Sequence, residues 1–242
     1  MFDSLKVKEP NTVFLDTGDI LNQFSSSNDD DIVAEVYQHL GYDAICPGDQ
    51  EFINGMNFYK NKLNEKLPFV STNLSFTEKD LSIEEFKIIT MENGIKIGIT
   101  GVNFNTGFRY LIRSEAIADG DVIVEKAFDK LRLTLEKLGK ESDIVIVLAH
   151  LNREGIVKTL DHVDGYDLLI GGHNDYEFYH PRLVNDKVYV QNGSDGEKIG
   201  KVVFEINKDG KKKFKSYELI KILSDKYIRE ENIEKLIREL EE

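Results

Sequence analysis

Short apolar runs that end in a polar loop recur along the chain. Four segments share this form: NTVFLDTGDIL (11–21), GYDAICPGDQEF (41–52), DIVIVLAHL (143–151) and YDLLIGGHND (166–175). A brief apolar run bounded by turn residues is typical of a buried strand. We therefore predict a strand in each segment, with a polar loop at or just after its carboxyl end.

Between these strands, apolar residues recur at the spacing of an amphipathic helix. The pattern predicts helices over residues 29–40, 53–66, 120–140, 152–163 and 224–242. The first begins with three aspartates, which complement the positive end of the helix macrodipole, and Gly41 ends it. Ser224 is the predicted cap of the last helix, whose apolar residues fall on one face.

Hairpin signals complete the pattern. Asn93-Gly94 separates two alternating segments and predicts a hairpin with a type I′ turn. PFVSTNL (68–74) predicts another strand, and residues 181–222 alternate as hairpins do. Strand–helix pairs followed by antiparallel strands predict an α/β fold with a mixed sheet. We expect one domain over 1–223, followed by an amphipathic helix over 224–242.

Composition narrows the classes of partner. The chain has 242 residues, is 40% hydrophobic and carries a formal net charge of −13. That charge argues against nucleic acid and anionic membranes as partners. No apolar run approaches the ~20 residues of a membrane span, and the first ten residues lack a signal-peptide core. We predict a cytoplasmic protein. The single Cys46 excludes an intrachain disulfide and a cysteine-based zinc site.

The candidate functional residues lie at or just after the carboxyl ends of four predicted strands. They are Asp19, Asp49, His150 and His173, from four separate parts of the chain. Ligands of open α/β folds gather beyond the carboxyl ends of the strands, so these side chains are expected to share one location. Two carboxylates and two imidazoles are a plausible ligand set for Mn²⁺, Zn²⁺ or Fe²⁺. The pattern therefore predicts a divalent metal site.

Each candidate also has a purely structural explanation. Asp19 and Asp49 are residues of the kind that hydrogen-bond backbone amides in turns. His150 and His173 could be hydrogen-bonded histidines at the rim of a core. Both interpretations remain open from the sequence alone.

The ordered segments resemble the metallophosphatase domain of the 5′-nucleotidase family, within the calcineurin-like metallophosphoesterases. Besides the four segments above, the resemblance includes LPFVSTNL, GIKIGITGV and VYVQNGSDGEKIGKVVFEI, and it runs from about residue 11 to 206. It implies a single-domain, mixed-sheet α/β sandwich and a hydrolase of phosphoric esters such as nucleotides. It also implies that Asp19 bridges two metals, that Asp49 replaces an asparagine ligand, and that His150 and His173 complete one site.

Several departures from the family pattern change this expectation. Gln50 stands where the family has its catalytic histidine, and Gln cannot supply a proton. Asp175 stands where the family has a metal-binding His or Gln; it could bind metal or be a solvated loop acid. The Asp-x-His motif of the first strand and the separate nucleotide-recognising domain are absent from the sequence. These departures from the family pattern lead us to expect one bound ion rather than two.

Two functions follow from these departures. The first is a divergent hydrolase domain that binds a divalent metal and a phosphate or phosphoester, with weak or lost turnover. The alternative is a catalytically inactive binding or scaffold protein, with a protein partner or self-association through the terminal helix. The missing motif also leads us to expect that the first strand lies outside the sequence given or comes from a second chain. A missing start would allow an exported protein.

Overall fold

The computed structural model describes residues 7–22, 27–207, 209–222 and 231–241. Its strands are β1 (Leu15–Asp16), β2 (Ala44–Ile45), β3 (Leu74–Phe76), β4 (Phe86–Thr90), β5 (Lys96–Asn103), β6 (Val122–Val124), β7 (Ile144–His150), β8 (Leu168–Gly171), β9 (Arg182–Val184), β10 (Lys187–Val190), β11 (Lys198–Ile206) and β12 (Lys212–Lys221). Its α-helices are α1 (Ser27–Leu40), α2 (Gly55–Phe58), α3 (Asn105–Arg113), α4 (Ala127–Glu141), α5 (Arg153–His162) and α6 (Glu231–Glu241). A 3₁₀ turn spans Gln50–Phe52, and a π-helical segment, Tyr59–Asn64, continues α2.

A mixed six-stranded sheet forms the centre of the fold, in the order β4-β5-β7-β8-β10-β9. The four inner strands are parallel, and β4 and β9 are antiparallel edges. Every residue of β7 is buried, which explains its uninterrupted apolar sequence. The β5–β7 register pairs Asn103 with His150, so both side chains lie at the carboxyl end of the sheet.

Smaller ladders flank this sheet. β1 and β2 are parallel, and Val70 continues the ladder by donating its N–H to the Ile45 carbonyl at 2.8 Å. β11 and β12 form a long hairpin, and β3 pairs with β6. Among the residues that the structure describes, β1 pairs with no strand other than β2, and β11 with none other than β12. The expected extra first strand stays a prediction.

Three apolar clusters hold these layers together. Leu131 and Leu138 of α4 and Leu160 of α5 cover one face of the central sheet. The opposite face packs against the β1–β2 and β11–β12 ladders, with Leu15 and Val202 in that second cluster. A third cluster joins α1, α2, the π-helical segment and α3 to the outer side of β2. The predicted α/β sandwich with a mixed sheet is confirmed.

Local structure corrects three details of the sequence prediction. The helix predicted over 120–140 begins only at Ala127, because the β-branched Val122–Val124 pairs with β3 as a strand. The predicted type I′ turn is wrong. In the 93–94 pair only Gly94 has positive φ, at 85°, and its N–H donates to the Met91 carbonyl. That geometry is a type I turn followed by a bulge. Helix α3 was not predicted.

The terminal helix α6 packs against α1. Its predicted cap, Ser224, and the first turns of the predicted helix lie outside the described residues. No helix in the described part of the chain is long and apolar enough to span a bilayer.

Lys187 supports the C-terminal end of α5. It is 4% exposed, and its Nζ donates to the Leu160 carbonyl at 2.7 Å and the Val163 carbonyl at 2.9 Å. We expect Lys187→Met to lower the free energy of unfolding by about 1–3 kcal/mol, because two carbonyls of the helix end lose their donor. Asp164, the ion-pair partner of Lys187, has a 92% exposed side chain, so Asp164→Asn should cost under about 1 kcal/mol. Urea unfolding of both variants compares the two contributions, and equal losses would assign the effect to the ion pair instead.

Candidate metal centre

The ends of four strands converge on one point. Asp19 follows β1, Asp49 follows β2, His150 is the last residue of β7, and His173 follows β8. Each offers one ligand atom, and these four atoms lie within 4.8 Å of one another. The structure thus brings together the four residues that the strand exits suggested, and we call them the metal cluster.

The spacing within the metal cluster suits a single ion. His150 Nε2 lies 3.4 Å from Asp19 Oδ2 and 3.5 Å from Asp49 Oδ1. His173 Nδ1 lies 3.8 Å from Asp19, 3.6 Å from Asp49 and 3.2 Å from His150 Nε2. Ligand atoms about 2.1 Å from one ion at tetrahedral angles are about 3.4 Å apart. These residues therefore fit one divalent cation of the Zn²⁺, Mn²⁺ or Fe²⁺ type.

His150 is oriented by a backbone carbonyl. It is 2% exposed, and its Nδ1 lies 2.8 Å from the Thr17 carbonyl oxygen. A carbonyl only accepts, so Nδ1 carries the proton and Nε2 faces the metal cluster. This is the arrangement found in metal-ligating histidines. The chain turns away directly afterwards, because the Asn152 side chain accepts the Gly155 N–H and begins α5.

Two of the four candidate ligands have strained backbones. Asp19 has φ 59° and His173 has φ 67°, in the left-handed region that L-residues rarely adopt. The Gln50 N–H donates to Asp19 Oδ1 at 3.1 Å and helps to hold the Asp19 carboxylate in place. Strain of this kind collects at functional sites, because the surrounding structure must maintain it.

The strain at His173 can be measured separately from the loss of its imidazole. We expect metal-free His173→Gly to be more stable than His173→Ala by about 1 kcal/mol, since only glycine adopts this φ freely. Both variants lose the imidazole equally. His180 is exposed and lacks a positive φ, so at that position Ala should be the more stable replacement. Urea unfolding of the four variants tests this, and equal stability of the Gly and Ala variants at 173 would contradict it.

Asp49 lies against the first turn of α3. A Cβ at Gly107 would fall 2.1 Å from Asp49 Oδ1, so only a glycine leaves room for the carboxylate. A negative charge at a helix N-terminus interacts favourably with the macrodipole. Neither α3 nor this contact was predicted from the sequence. The short segment NFNTGF gave a weak helix signal, although its glycine marks a close approach.

Glu51 was also missed. It is fully buried, and its Oε1 accepts the Ile20 N–H at 2.9 Å while its Oε2 accepts the Gly48 N–H at 2.6 Å. The available signal was a charged residue directly before the apolar pair Phe52–Ile53. A carboxylate at such a position must find buried donors.

Burial and neighbouring charges shift the pKa values around the metal cluster. Burial alone would lower the pKa of His150, but Asp19 and Asp49 outweigh it and raise the pKa to about 9. Burial alone would raise the pKa of Asp19, but the two histidines and the Gln50 N–H lower it below its usual range. Burial, together with the Asp19 charge, raises the pKa of Glu51 to about 7. The cluster thus concentrates opposite charges in a poorly solvated space.

The remaining site candidates lie around the cluster. Asp175 is exposed and is not one of the four clustered residues. Gln50 is half-buried and begins the 3₁₀ turn after Asp49, next to two candidate ligands. Gln50 therefore lies beside the metal cluster, whereas Asp175 is not part of it.

Solved structures share this fold. The sulfate thiohydrolase SoxB of Thermus thermophilus, bound to glycerol, matches with a TM-score of 0.84 and 16% identity over 99% of this chain and 45% of its own. A 5′-nucleotidase precursor of the same organism matches with a TM-score of 0.80 and 19% identity, over 99% and 51%. A calcineurin-like phosphoesterase of Bacillus subtilis matches with a TM-score of 0.76 and 21% identity, over 99% and 86%.

These matches define the class of fold. The chain shares the fold of solved 5′-nucleotidase and calcineurin-like phosphoesterase structures. It spans about half the length of the SoxB and 5′-nucleotidase structures. No family model and no curated protein sequence matches it.

Proposed function

We propose that this domain binds one divalent metal ion through Asp19, Asp49, His150 and His173, and binds a phosphate or phosphoester at that ion. The observation that carries the proposal is the convergence of four ligand atoms from four separate segments, at spacings of 3.2–3.8 Å where measured. A surface cluster of acids alone would not need a buried, oriented histidine such as His150.

The residues at and beside the metal cluster have distinct proposed parts in this binding. His150 presents Nε2 because Thr17 fixes its tautomer. Asp19 and Asp49 supply negative charge that favours a cation. When bound, a divalent ion of this kind polarises a phosphoryl oxygen as a Lewis acid. Gln50 can donate a hydrogen bond to a bound phosphoryl oxygen, but it cannot give a proton to a leaving group.

Turnover is therefore proposed to be weak. A positioned general acid contributes about 10²–10⁴-fold to a hydrolysis rate, and the glutamine at position 50 provides none of that. The substrate class is a small phosphoester such as a nucleotide, in keeping with the 5′-nucleotidase and phosphoesterase folds that this chain shares. Binding without turnover would make the domain a ligand-binding or scaffold protein.

Counting bound metal tests the proposal directly. We expect protein loaded with Mn²⁺ and desalted to retain about one ion per chain, measured by mass spectrometry of the metal. Asp49→Ala should lose that ion. Asp175→Ala is the matched control and should keep it, because Asp175 lies outside the metal cluster. Wild-type protein without bound Mn²⁺, Zn²⁺ or Fe²⁺ would refute the proposed function.

A phosphoester assay then separates the hydrolase from the binding protein. We expect slow, Mn²⁺-dependent hydrolysis of an activated aryl phosphate, because a good leaving group needs no general acid. Restoring the imidazole with Gln50→His is expected to speed hydrolysis of a poor leaving group most, by about 10²-fold or more. Equal rates for wild type and Gln50→His on a nucleotide would contradict the role given to position 50.

A further inference from the structure

Glu51 is a buried carboxylate outside the set of four candidate ligands. Glu51 is 0% exposed. Both of its oxygens accept backbone N–H groups, from Ile20 and from Gly48. Ile20 follows Asp19, and Gly48 precedes Asp49. One side chain therefore bonds the two loops that carry the carboxylates of the metal cluster.

We propose that Glu51 is a positioning residue that fixes the Asp19 and Asp49 loops relative to each other for metal binding. This inference rests on the proposed function, because it assigns Glu51 a role toward the ion. Glu51 itself does not bind the metal. It sets the separation of two residues that do.

The role requires a carboxylate of this length. The two loops are about 30 residues apart in the chain, so a single group must offer two acceptors to join them. Glutamine offers only one acceptor oxygen, and its NH₂ would face a backbone N–H. Aspartate is one methylene shorter and cannot reach both amides from the same backbone position. Losing one bond leaves a buried N–H without a partner, at a cost of about 1–3 kcal/mol.

A second buried side chain holds the same peptide from the other side. Asn103 Nδ2 donates to the Pro47 carbonyl, while Glu51 accepts from the Gly48 N–H. Asn103 is itself fixed, since Ser71 Oγ donates to its Oδ1 at 2.7 Å. The Pro47–Gly48 peptide is thus bonded at both its oxygen and its nitrogen. These two bonds hold the backbone that leads into Asp49.

Fixed loops raise metal affinity in two ways. Ligands that are already in place lose less conformational entropy when an ion binds. When ionised, the buried Glu51 carboxylate also favours a cation nearby, because its field is weakly screened in a low-dielectric interior. Residues that orient metal ligands typically change affinity by about 10–100-fold when they are replaced.

The test compares wild type, Glu51→Gln and Glu85→Gln. Glu85 is a half-buried glutamate bonded to Lys137 and Thr134, away from the metal cluster, so it controls for the chemical change itself. Mn²⁺ affinity is measured by calorimetry. Hydrogen exchange of the Gly48 and Ile20 amides is measured in metal-free protein. The Val145 amide, bonded to Asp167, reports changes in global stability.

We expect Glu51→Gln to weaken Mn²⁺ binding about 10–100-fold and to speed exchange at Gly48 or Ile20 relative to Val145. Glu85→Gln should change neither. Mn²⁺ affinity of Glu51→Gln within twofold of wild type would overturn the inference and leave the proposed function intact. If wild type binds none of Mn²⁺, Zn²⁺ and Fe²⁺, the proposed function fails and the metal role of Glu51 falls with it. If Glu51→Gln does not fold, unprotected Gly48 and Ile20 amides in wild type would still overturn the inference.

Discussion

Replacing Asp19 with alanine is expected to lower Mn²⁺ affinity at least about 100-fold, the largest effect of any single change in the metal cluster. Asp19 faces both histidines, at 3.4 Å from His150 and 3.8 Å from His173, and most of its side chain is shielded from solvent. Its removal deletes a ligand and a negative charge together, so the loss should exceed that of a residue which only orients a ligand. Calorimetric titration with Mn²⁺ measures it.

Asp186→Ala is the matched control for this change. Asp186 also has positive φ, at 63°, but lies in the exposed turn between β9 and β10. The same substitution therefore meets the same backbone strain, while the metal cluster stays intact. Wild-type Mn²⁺ affinity in Asp186→Ala combined with its loss in Asp19→Ala would place the effect at the ligand. An Asp19→Ala affinity within threefold of wild type would remove Asp19 from the ligand set.

The second large effect is expected at Gly107, in a helix that contributes no candidate ligand. A Cβ at this position would fall 2.1 Å from Asp49 Oδ1 and 2.2 Å from its Cγ, distances that real atoms do not reach. Gly107→Ala must therefore push the Asp49 carboxylate out of the cluster or shift α3. We expect an affinity loss for Mn²⁺ of about 10-fold or more, together with a loss of stability.

The same glycine-to-alanine substitution at Gly139 is expected to have the opposite effect on stability. It lies within α4, and a Cβ there would meet nothing within 4 Å. Gly139→Ala should raise the free energy of unfolding by about 0.5–1 kcal/mol, because alanine favours a helix interior. Calorimetry and urea unfolding of both variants test the pair. Unchanged Mn²⁺ affinity in Gly107→Ala would show that Asp49 does not need its present position.

The buried charges of the metal cluster favour binding of a cation, whereas in the metal-free protein they lie in a poorly solvated space. Asp19 and Asp49 share a poorly solvated space with Glu51, and His150 is the buried imidazole among them. Without an ion, the carboxylates raise the pKa of His150 to about 9, which lets the histidine offset their charge. The left-handed backbone conformations of Asp19 and His173 also cost stability in the folded protein. Sites that trade stability for ligand geometry commonly show both features.

The strands that carry the candidate ligands, and the four clustered residues themselves, could be predicted from the sequence. A strand buried on both faces must be continuously apolar, so β7 and β8 were visible as short apolar runs that end in polar residues. Because parallel strands end at one edge of a sheet, Asp19, Asp49, His150 and His173 could be expected together before any coordinates. Their order along the chain also carried the resemblance to metallophosphoesterases. Asp175 shared that resemblance but lies outside the cluster.

How these residues are held in place became visible only in the folded protein. Periodicity cannot reveal that Glu51 bonds both carboxylate loops, that Asp49 fits against Gly107, or that Thr17 selects the tautomer of His150. Apart from the local Glu51–Gly48 bond, these contacts join residues about 30 to more than 130 positions apart, and no local pattern records such a distance. The hairpin turn at Asn93-Gly94 was misjudged for a related reason: the flanking strands choose the turn type, and the dipeptide only permits it.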